Sequence, residues 1–189
     1  MKFSKLTVLA IVALALGACG GKDEGESAEA VADATPDEIA VSDAELAGNP
    51  FLEEWDTPYG VPPFSRIENG HYMPAIKKGI LEQRAEIDAI VNNAEAPTFE
   101  NTILAMETAG DLLTKVARTF GNITGTETND DLHALESEIY PMLTREFDAI
   151  TMNDDLWQRV KAVYDQRENL GLDEQDARLL ELRHRSCIR

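Results

Sequence analysis

The sequence predicts an all-α protein, preceded by an export signal and a disordered linker. Three observations support this fold class. Apolar residues recur at spacings of three and four residues between residues 72 and 182, as they do along the buried face of a helix. Asn, Asp and Thr stand where the periodic stretches begin, which is typical of helix N-caps. No stretch alternates between apolar and polar residues for long enough to indicate a strand.

Residues 1–18 are predicted to be a lipoprotein signal peptide. Two lysines precede an apolar run of eleven residues, Leu6 to Leu16, which is too short to span a bilayer and fits the core of an export signal. The run ends in Leu16-Gly17-Ala18-Cys19, which resembles the bacterial lipobox, so Cys19 is the predicted lipidation site and its lipid the membrane anchor. An ordinary cleaved signal with a chance cysteine is the alternative interpretation.

The residue after Cys19 is Gly20 rather than an aspartate. By resemblance to lipoprotein sorting in Gram-negative-type envelopes, this favours the periplasmic face of the outer membrane over the inner membrane. The formal net charge of the whole chain is −18. Such a charge repels the phosphates of nucleic acids, so nucleic acid is excluded as a partner.

Residues 19–48 are predicted to be an acidic, disordered tether. Between residues 20 and 48 the chain has nine acids, a single base at Lys22 and no aromatic residue. A stretch of this composition cannot bury enough apolar area to offset the entropy of the chain, and its like charges extend it. An acidic interaction tail is the alternative interpretation.

Residues 49–182 form the predicted helical body, which begins with an extended, proline-rich arm over residues 49–64 that lies on the following helices. Five helices come after the arm. The first covers 72–91, the second runs unbroken from Thr98 to Phe120 with Gly110 inside it, and the third starts at residues 128–131 and is kinked by Pro141. The fourth starts at Asn153, and the fifth is capped by Asp173 and ends at residue 182. The stripe predicted for the third helix consists of Leu132, Leu135, Ile139, Leu143, Phe147 and Ile150.

No catalytic or metal-binding residue is predicted within the chain. A zinc peptidase needs two histidines one helical turn apart with a glutamate beside the first, and His71, His133 and His184 have no such spacing. His71 is interpreted as a packing or capping residue near a helix start, and the other two are assigned to polar faces. The acidic pairs are interpreted as solvated helix faces or caps. Trp55 and Trp157 are interpreted as anchors of the arm and the fourth helix.

Several stretches of the body resemble one peptidase family in the order in which that family has them. They are Asn49-Pro50-Phe51-Leu52, Phe64 to Ala75, Pro97-Thr98-Phe99-Glu100-Asn101-Thr102-Ile103-Leu104-Ala105-Met106-Glu107 and Arg167 to Leu172. On these stretches residues 49–182 resemble the N-terminal region of the M3 metallopeptidases, and most closely their bacterial peptidyl-dipeptidase branch.

The resemblance implies an enzyme of two helical halves around a deep channel, with antiparallel helices in the matching region. It implies zinc on a His-Glu-x-x-His helix in the C-terminal half and the release of C-terminal dipeptides from short peptides. The chain contains no His-Glu-x-x-His sequence. No catalytic residue, zinc ligand or cofactor is therefore carried over to a position of this chain.

The end of the chain departs from the family pattern. Residues 183–189 read Arg-His-Arg-Ser-Cys-Ile-Arg, where the family continues an apolar helix face. We interpret this stretch as an aberrant tail produced by a frameshift or truncation, with a genuine short paralogue as the alternative.

The sequence leaves two hypotheses of function. In the first, the chain is an inactive N-terminal fragment of a zinc peptidyl-dipeptidase, whose full-length form takes short peptides. In the second, it is an acidic helical lipoprotein of the envelope that serves as a binding or structural module without catalysis. A His-Glu-x-x-His helix encoded in another frame directly downstream supports the first hypothesis, and an unrelated gene there supports the second.

Overall fold

The computed structural model describes residues 39–127 and 129–187, so the predicted signal, Cys19 and most of the predicted tether lie outside the described residues. The described part is helical and contains no strand, which confirms the predicted all-α class. Within it, no helix is both long enough and apolar enough to cross a membrane. The helices are α1 (Asp43–Leu46), α2 (Asn69–Val91), a π-helical turn (Phe99–Leu104) that leads into α3 (Ala105–Thr108), α4 (Asp111–Thr124), α5 (Asp130–Thr151), α6 (Asp154–Asp165) and α7 (Glu174–Ser186).

Regular structure begins earlier than the predicted end of the tether at residue 48. Ser42 caps α1 by accepting a hydrogen bond from the Glu45 N–H, and the Glu45 carboxylate accepts in return from the Ser42 N–H at 2.8 Å. Ile39 packs against the core that the later helices form. Two of the nine acids that suggested disorder, Asp43 and Glu45, lie in the first turn of α1, where the positive end of the helix dipole stabilises them.

The arm lies on the helices as predicted and buries Phe51, whereas Tyr59 and Phe64 are exposed. Two short 3-10 helices, Pro50–Leu52 and Pro58–Gly60, interrupt the backbone that was expected to be extended. Phe51 is 1% exposed, and its ring centroid lies 5.4 Å from that of Tyr72 on α2. Lys115 of α4 fixes the arm, because its ammonium donates to the carbonyls of Phe51 at 3.0 Å and Glu53 at 2.8 Å. The same ammonium stands 4.1 Å from the centre of the Trp55 ring. The arm is therefore part of the packed body, and Trp55 anchors it as predicted.

Helices α2 and α4 pack closely where α2 has no side chain. A Cβ atom on Gly79 would lie 2.8 Å from both the backbone N and the Cα of Leu113. Real Cβ atoms do not approach backbone atoms so closely, so only glycine fits at this position in the observed packing. The close contact between helices thus depends on Gly79.

The predicted second helix is interrupted at Gly110, so the expectation of one unbroken helix from Thr98 to Phe120 is wrong. Gly110 has φ of 81° and ψ of 28°, a left-handed conformation that ends the segment containing α3 and begins α4. A Cβ there would also clash with Gln83 of α2. The apolar spacing continues through the break, because both segments direct their apolar side toward the rest of the body.

The break divides the apolar residues between two hydrophobic cores. The first core joins the arm, the start of α2, α4 and the start of α5. Its buried residues are Phe51, Tyr72, Ala75, Ile76, Ile80, Leu113, Val116, Phe120, Leu132 and Ile139. The second core joins the end of α2, the α3 segment, α6 and α7. Its buried residues are Ile87, Ile90, Phe99, Ile103, Met106, Leu156, Val160, Val163 and Leu180.

Helix α5 continues through Pro141 to Thr151, but its stripe differs from the predicted one by a residue. Phe147 was placed on the buried side and is 66% exposed, whereas Glu146 is 3% exposed. Glu146 points inward because Arg84 of α2 pairs with it there. The single-residue change turns the Phe147 ring out toward solvent.

The residues predicted as an aberrant tail continue α7 to Ser186. Arg183 pairs with Glu107 of α3, its Nε donating to the carboxylate at 2.5 Å. Cys187 comes directly after the helix and is only 4% exposed. The composition break at residue 182 is therefore not a break in the fold over residues 183–187.

Candidate functional site

The three histidines lie on separate helices, and each makes its own local contact. His71 accepts the Glu68 N–H at its Nδ1 atom, 3.0 Å away, in the first turn of α2, so its interpretation as a capping residue is confirmed. His133 lies on α5 with its Nδ1 3.0 Å from the Glu136 carboxylate. Over residues 39–127 and 129–187, no three His, Cys, Asp or Glu side chains form a group that could hold a metal ion.

His184 does not lie on a solvated polar face, which corrects its assignment from the sequence. Its ring stacks on Tyr164 of α6 with centroids 3.7 Å apart and planes 8° apart, and it tilts against Trp157 at 5.0 Å. Desolvation lowers the pKa of His184 below its usual value. The His184 ring therefore attaches the end of α7 to α6, and Trp157 anchors this contact.

The Pro97-Thr98-Phe99-Glu100-Asn101-Thr102 stretch forms a network of side-chain hydrogen bonds. Thr98 and Asn101 form a reciprocal capping box, with N–H···O distances of 2.8 and 3.1 Å. The Asn101 amide also donates to the Ala96 carbonyl at 2.9 Å, and its oxygen accepts the Thr102 hydroxyl at 2.9 Å. Asn101 thereby fixes the entry of the segment that carries Phe99 and Ile103 into the second core.

Arg159 of α6 completes this site from the other side. Its guanidinium donates to the Asn93 carbonyl at 2.9 Å, to the Glu95 carbonyl at 3.4 Å and to the Asn101 side-chain oxygen at 3.3 Å. The residue is 9% exposed, and its Nε is a buried donor without a hydrogen-bond partner in the described part. A planar guanidinium can reach all three acceptors, whereas a lysine ammonium cannot. Arg159 therefore holds the loop between α2 and the π-helical turn against α6.

A second buried charge joins α2 to α5. The Glu146 carboxylate accepts from Arg84 at both Nε and Nη2, each at 2.8 Å, and Arg84 is about one-third exposed. Removing one partner of such a pair leaves a charge buried without compensation, which is costly. Glu146 is therefore an acidic residue that lies neither on a solvated helix face nor at a helix cap.

Both buried charges gave a signal that sequence reasoning missed. Arg159 lies three residues after Leu156 and directly before Val160, within the apolar stripe of α6. Glu146 lies seven residues after Ile139 in the stripe of α5. A charged residue at a stripe position indicates a buried polar contact, although the partner cannot be read from the stripe itself.

A cleft of about 410 Å³ lies beside the second core; we call it the central cleft. Helices α2, α3, α4, α5 and α7 line it, and its lining includes Ile87, Met106, Arg118, Phe147, Ile150 and Cys187. The cleft combines an apolar floor with charged groups at its rim, which is the composition of a binding surface.

Comparison with known proteins places the chain beside bacterial peptidases. It is 44% identical over 140 residues to the dipeptidyl carboxypeptidase of Escherichia coli K12 and 41% identical over 143 residues to that of Salmonella typhimurium LT2. The matches cover 74% and 76% of this chain but 21% of each relative, so the chain spans about a fifth of their length. A more distant relative, organellar oligopeptidase A of Arabidopsis thaliana, is 24% identical over 151 residues. No protein-family model matches the chain.

Proposed function

This chain is a homologue of the M3-family dipeptidyl carboxypeptidases over about three quarters of its length, and from that premise we propose that it is the N-terminal helical region of a zinc peptidyl-dipeptidase. The observation that carries the proposal is the identity of 44% over 140 residues. The whole enzyme releases dipeptides from the carboxyl ends of short peptides. In this proposal, the region described here contributes helices to the enzyme and no catalytic group.

The donor set of the described residues does not fit the zinc that the family implies. Catalytic zinc usually takes three protein ligands, and each histidine here lies on a different helix and is engaged in its own contact. Zinc and the catalytic glutamate therefore belong to the C-terminal part of the enzyme. No step of the reaction is assigned to residues of this chain.

A chimera tests the proposal directly. The 140 residues of the Escherichia coli enzyme that match this chain are replaced by their counterparts from it, and release of dipeptides from a short blocked peptide is measured. We expect zinc-dependent activity that a chelator abolishes. A control chimera carrying Phe120→Ala, which leaves a cavity in the first core, should lose stability. A folded chimera with bound zinc that releases no dipeptide contradicts the proposal.

The chain by itself is expected to hydrolyse no peptide. Purified residues 20–189 are incubated with a short peptide and zinc, and dipeptide release is monitored. Activity that persists through further purification and disappears with a chelator would contradict this expectation, because it would show a zinc site built from the residues of this chain.

The proposed location is the periplasmic face of the outer membrane, held by lipid on Cys19. The support is the lipobox-like end of the apolar run. Cys19→Ser should move the protein from the membrane fraction to the soluble periplasm, while the wild type incorporates labelled palmitate. Membrane retention of the variant, together with no labelling of the wild type, would contradict the anchor.

A further inference from the structure

We propose that the central cleft is the docking site for the polypeptide that continues beyond α7 in the longer relatives, and that this segment places an apolar side chain in the cleft and a carboxylate beside Arg118. The inference rests on the proposed function, because the segment belongs to the remainder of the peptidase. It goes further in assigning one surface of the region, and the residues on it, to the contact with the rest of the enzyme.

Apolar side chains form part of the lining of the cleft. Met106 and Ile87 belong to the second core and form the floor. The Phe147 ring stands at the edge with 66% of its surface exposed, the largest exposure of any phenylalanine in the described part. Because Glu146 occupies the inward position, Phe147 cannot turn into the body. An apolar side chain that enters the cleft would bury this ring.

The charges at the rim define the chemistry of the occupant. Arg183 is neutralised by Glu107 across the cleft. Arg118 and Asp111, two turns apart on α4, line the cleft and have no ion-pair or hydrogen-bond partner within residues 39–127 and 129–187. An occupant with a carboxylate opposite Arg118 and a cation opposite Asp111 would complement them.

The position of α7 supports a segment C-terminal to it over other occupants. Arg183, Ser186 and Cys187 all line the cleft, so polypeptide that continues from α7 emerges at its mouth. A segment joined so closely has a high effective concentration at the cleft. A second copy of this chain is disfavoured, because each copy carries a formal net charge of −18 and the two repel each other.

The test is one substitution measured in two contexts. Phe147→Asp is made in residues 20–189 alone and in the chimera described above, and the melting temperature of each is recorded. We expect a change of less than about 1 °C in the isolated chain, where the ring is already in solvent, and a fall of about 5 °C or more in the chimera. Met152→Asp is the matched control, since Met152 lies at the end of the same helix, is 64% exposed and does not line the cleft.

Arg118→Glu sharpens the test, because it should also lower the melting temperature of the chimera and leave the isolated chain unchanged. An apolar dye that fluoresces on the isolated chain should bind less to the Phe147→Asp variant of that chain. The same dye should not bind to the cleft of the chimera. An active chimera in which Phe147→Asp and Met152→Asp have equal effects overturns the inference and leaves the proposed function standing. A folded, inactive chimera overturns the proposed function instead.

If the chimera is insoluble, the isolated chain is mixed with the separately produced remainder of the Escherichia coli enzyme, and binding is measured by sedimentation velocity. Wild-type chain should bind, and Phe147→Asp should weaken binding at least about tenfold. Equal binding of the two overturns the inference. Self-association of the chain alone that Phe147→Asp abolishes also overturns it, because the occupant would then be a second copy.

Discussion

The two hydrophobic cores of the body are closed in different ways. The first core is sealed by the arm and by a series of aromatic rings, in which Tyr72 contacts both Phe51 and Phe120, at 5.4 and 5.0 Å, and Phe120 contacts Tyr140 at 5.7 Å. The second core is mainly aliphatic and is closed by polar contacts to one guanidinium and by the last helix. Apolar packing thus closes the first core, whereas specific hydrogen bonds position the walls of the second.

Under the proposed docking, the second core is the part of the body that adjoins a contact outside it. The first core has its arm and four aromatic rings in place. The second core adjoins the central cleft, where Phe147 is exposed and Arg118 has no described partner. We therefore expect substitutions in the first core to act through packing alone, and those around the second to act through geometry and charge.

The largest effect is expected from Phe120→Ala in the first core. The side chain is fully buried between two aromatic rings, and its truncation should lower the free energy of unfolding by about 3–5 kcal/mol. Guanidinium unfolding monitored by circular dichroism measures the change. Phe147→Ala makes the same chemical change at an exposed site and should stay within about 0.5 kcal/mol. Equal costs at the two positions would contradict the assignment of Phe120 to a closed core.

Arg159→Met should come next, with a loss of about 2–4 kcal/mol in the free energy of unfolding. The apolar side chain fills the space but leaves the carbonyls of Asn93 and Glu95 and the Asn101 oxygen without their donor. Arg159→Lys keeps the charge and should recover less than half of the loss, because an ammonium cannot serve all three acceptors. Full recovery by lysine would show that charge, rather than the planar guanidinium, closes the second core.

Gly79→Ala should cost about 1–3 kcal/mol, although alanine is the better helix former. The new Cβ would meet the Leu113 backbone, which cannot move without separating α2 from α4. Gly121→Ala on α4 is the control, since its Cβ would meet nothing within 4 Å and should stabilise by up to about 1 kcal/mol. Thermal unfolding of the two variants compares them directly. Stabilisation by both would show that the helices separate at little cost.

The smallest effect concerns His184, which attaches α7 to the second core. Because desolvation lowers its pKa in the folded protein, the neutral ring is favoured on folding. This contribution to stability is present above the unfolded pKa, near 6.5, and is lost as the pH falls through the lower folded value. His184→Phe keeps a ring on Tyr164 and should flatten the dependence of the melting temperature on pH between about 7 and 5. An unchanged profile would contradict the role of this ring.

Local signals in the sequence predicted the helix starts well. Thr98, Asn153 and Asp173 cap their helices through side-chain oxygens, as their residue types and positions indicated. Gly110 was misplaced because a glycine fits both a helix interior and a left-handed break, and the apolar spacing continues through it. Its contacts with α2 distinguish the two: the Gly110 N–H donates to the Glu86 carboxylate at 2.7 Å, and a Cβ atom would clash with Gln83.

The buried charges of the candidate site were less predictable, because they too depend on contacts with other helices. A period of 3.6 residues makes both Glu146 and Phe147 acceptable on the inner side of α5. The choice between them depends on Arg84, which is 62 residues away in sequence. The partners of Arg159 likewise lie 58 to 66 residues away from it. Such contacts depend on how helices are arranged in space, and one-dimensional spacing carries little of that information.

The left-handed turn at Gly110 also bears on the order in which the body can fold. The turn returns the chain from the second core to the first. As a result, all buried residues of the first core have left the ribosome once Ile139 has emerged. The second core has to wait for Leu180, some forty residues later, with Ile87 and Ile103 uncovered in the meantime. Synthesis in the N-to-C direction therefore builds a finished half first and leaves α2 as a template on which the later helices assemble.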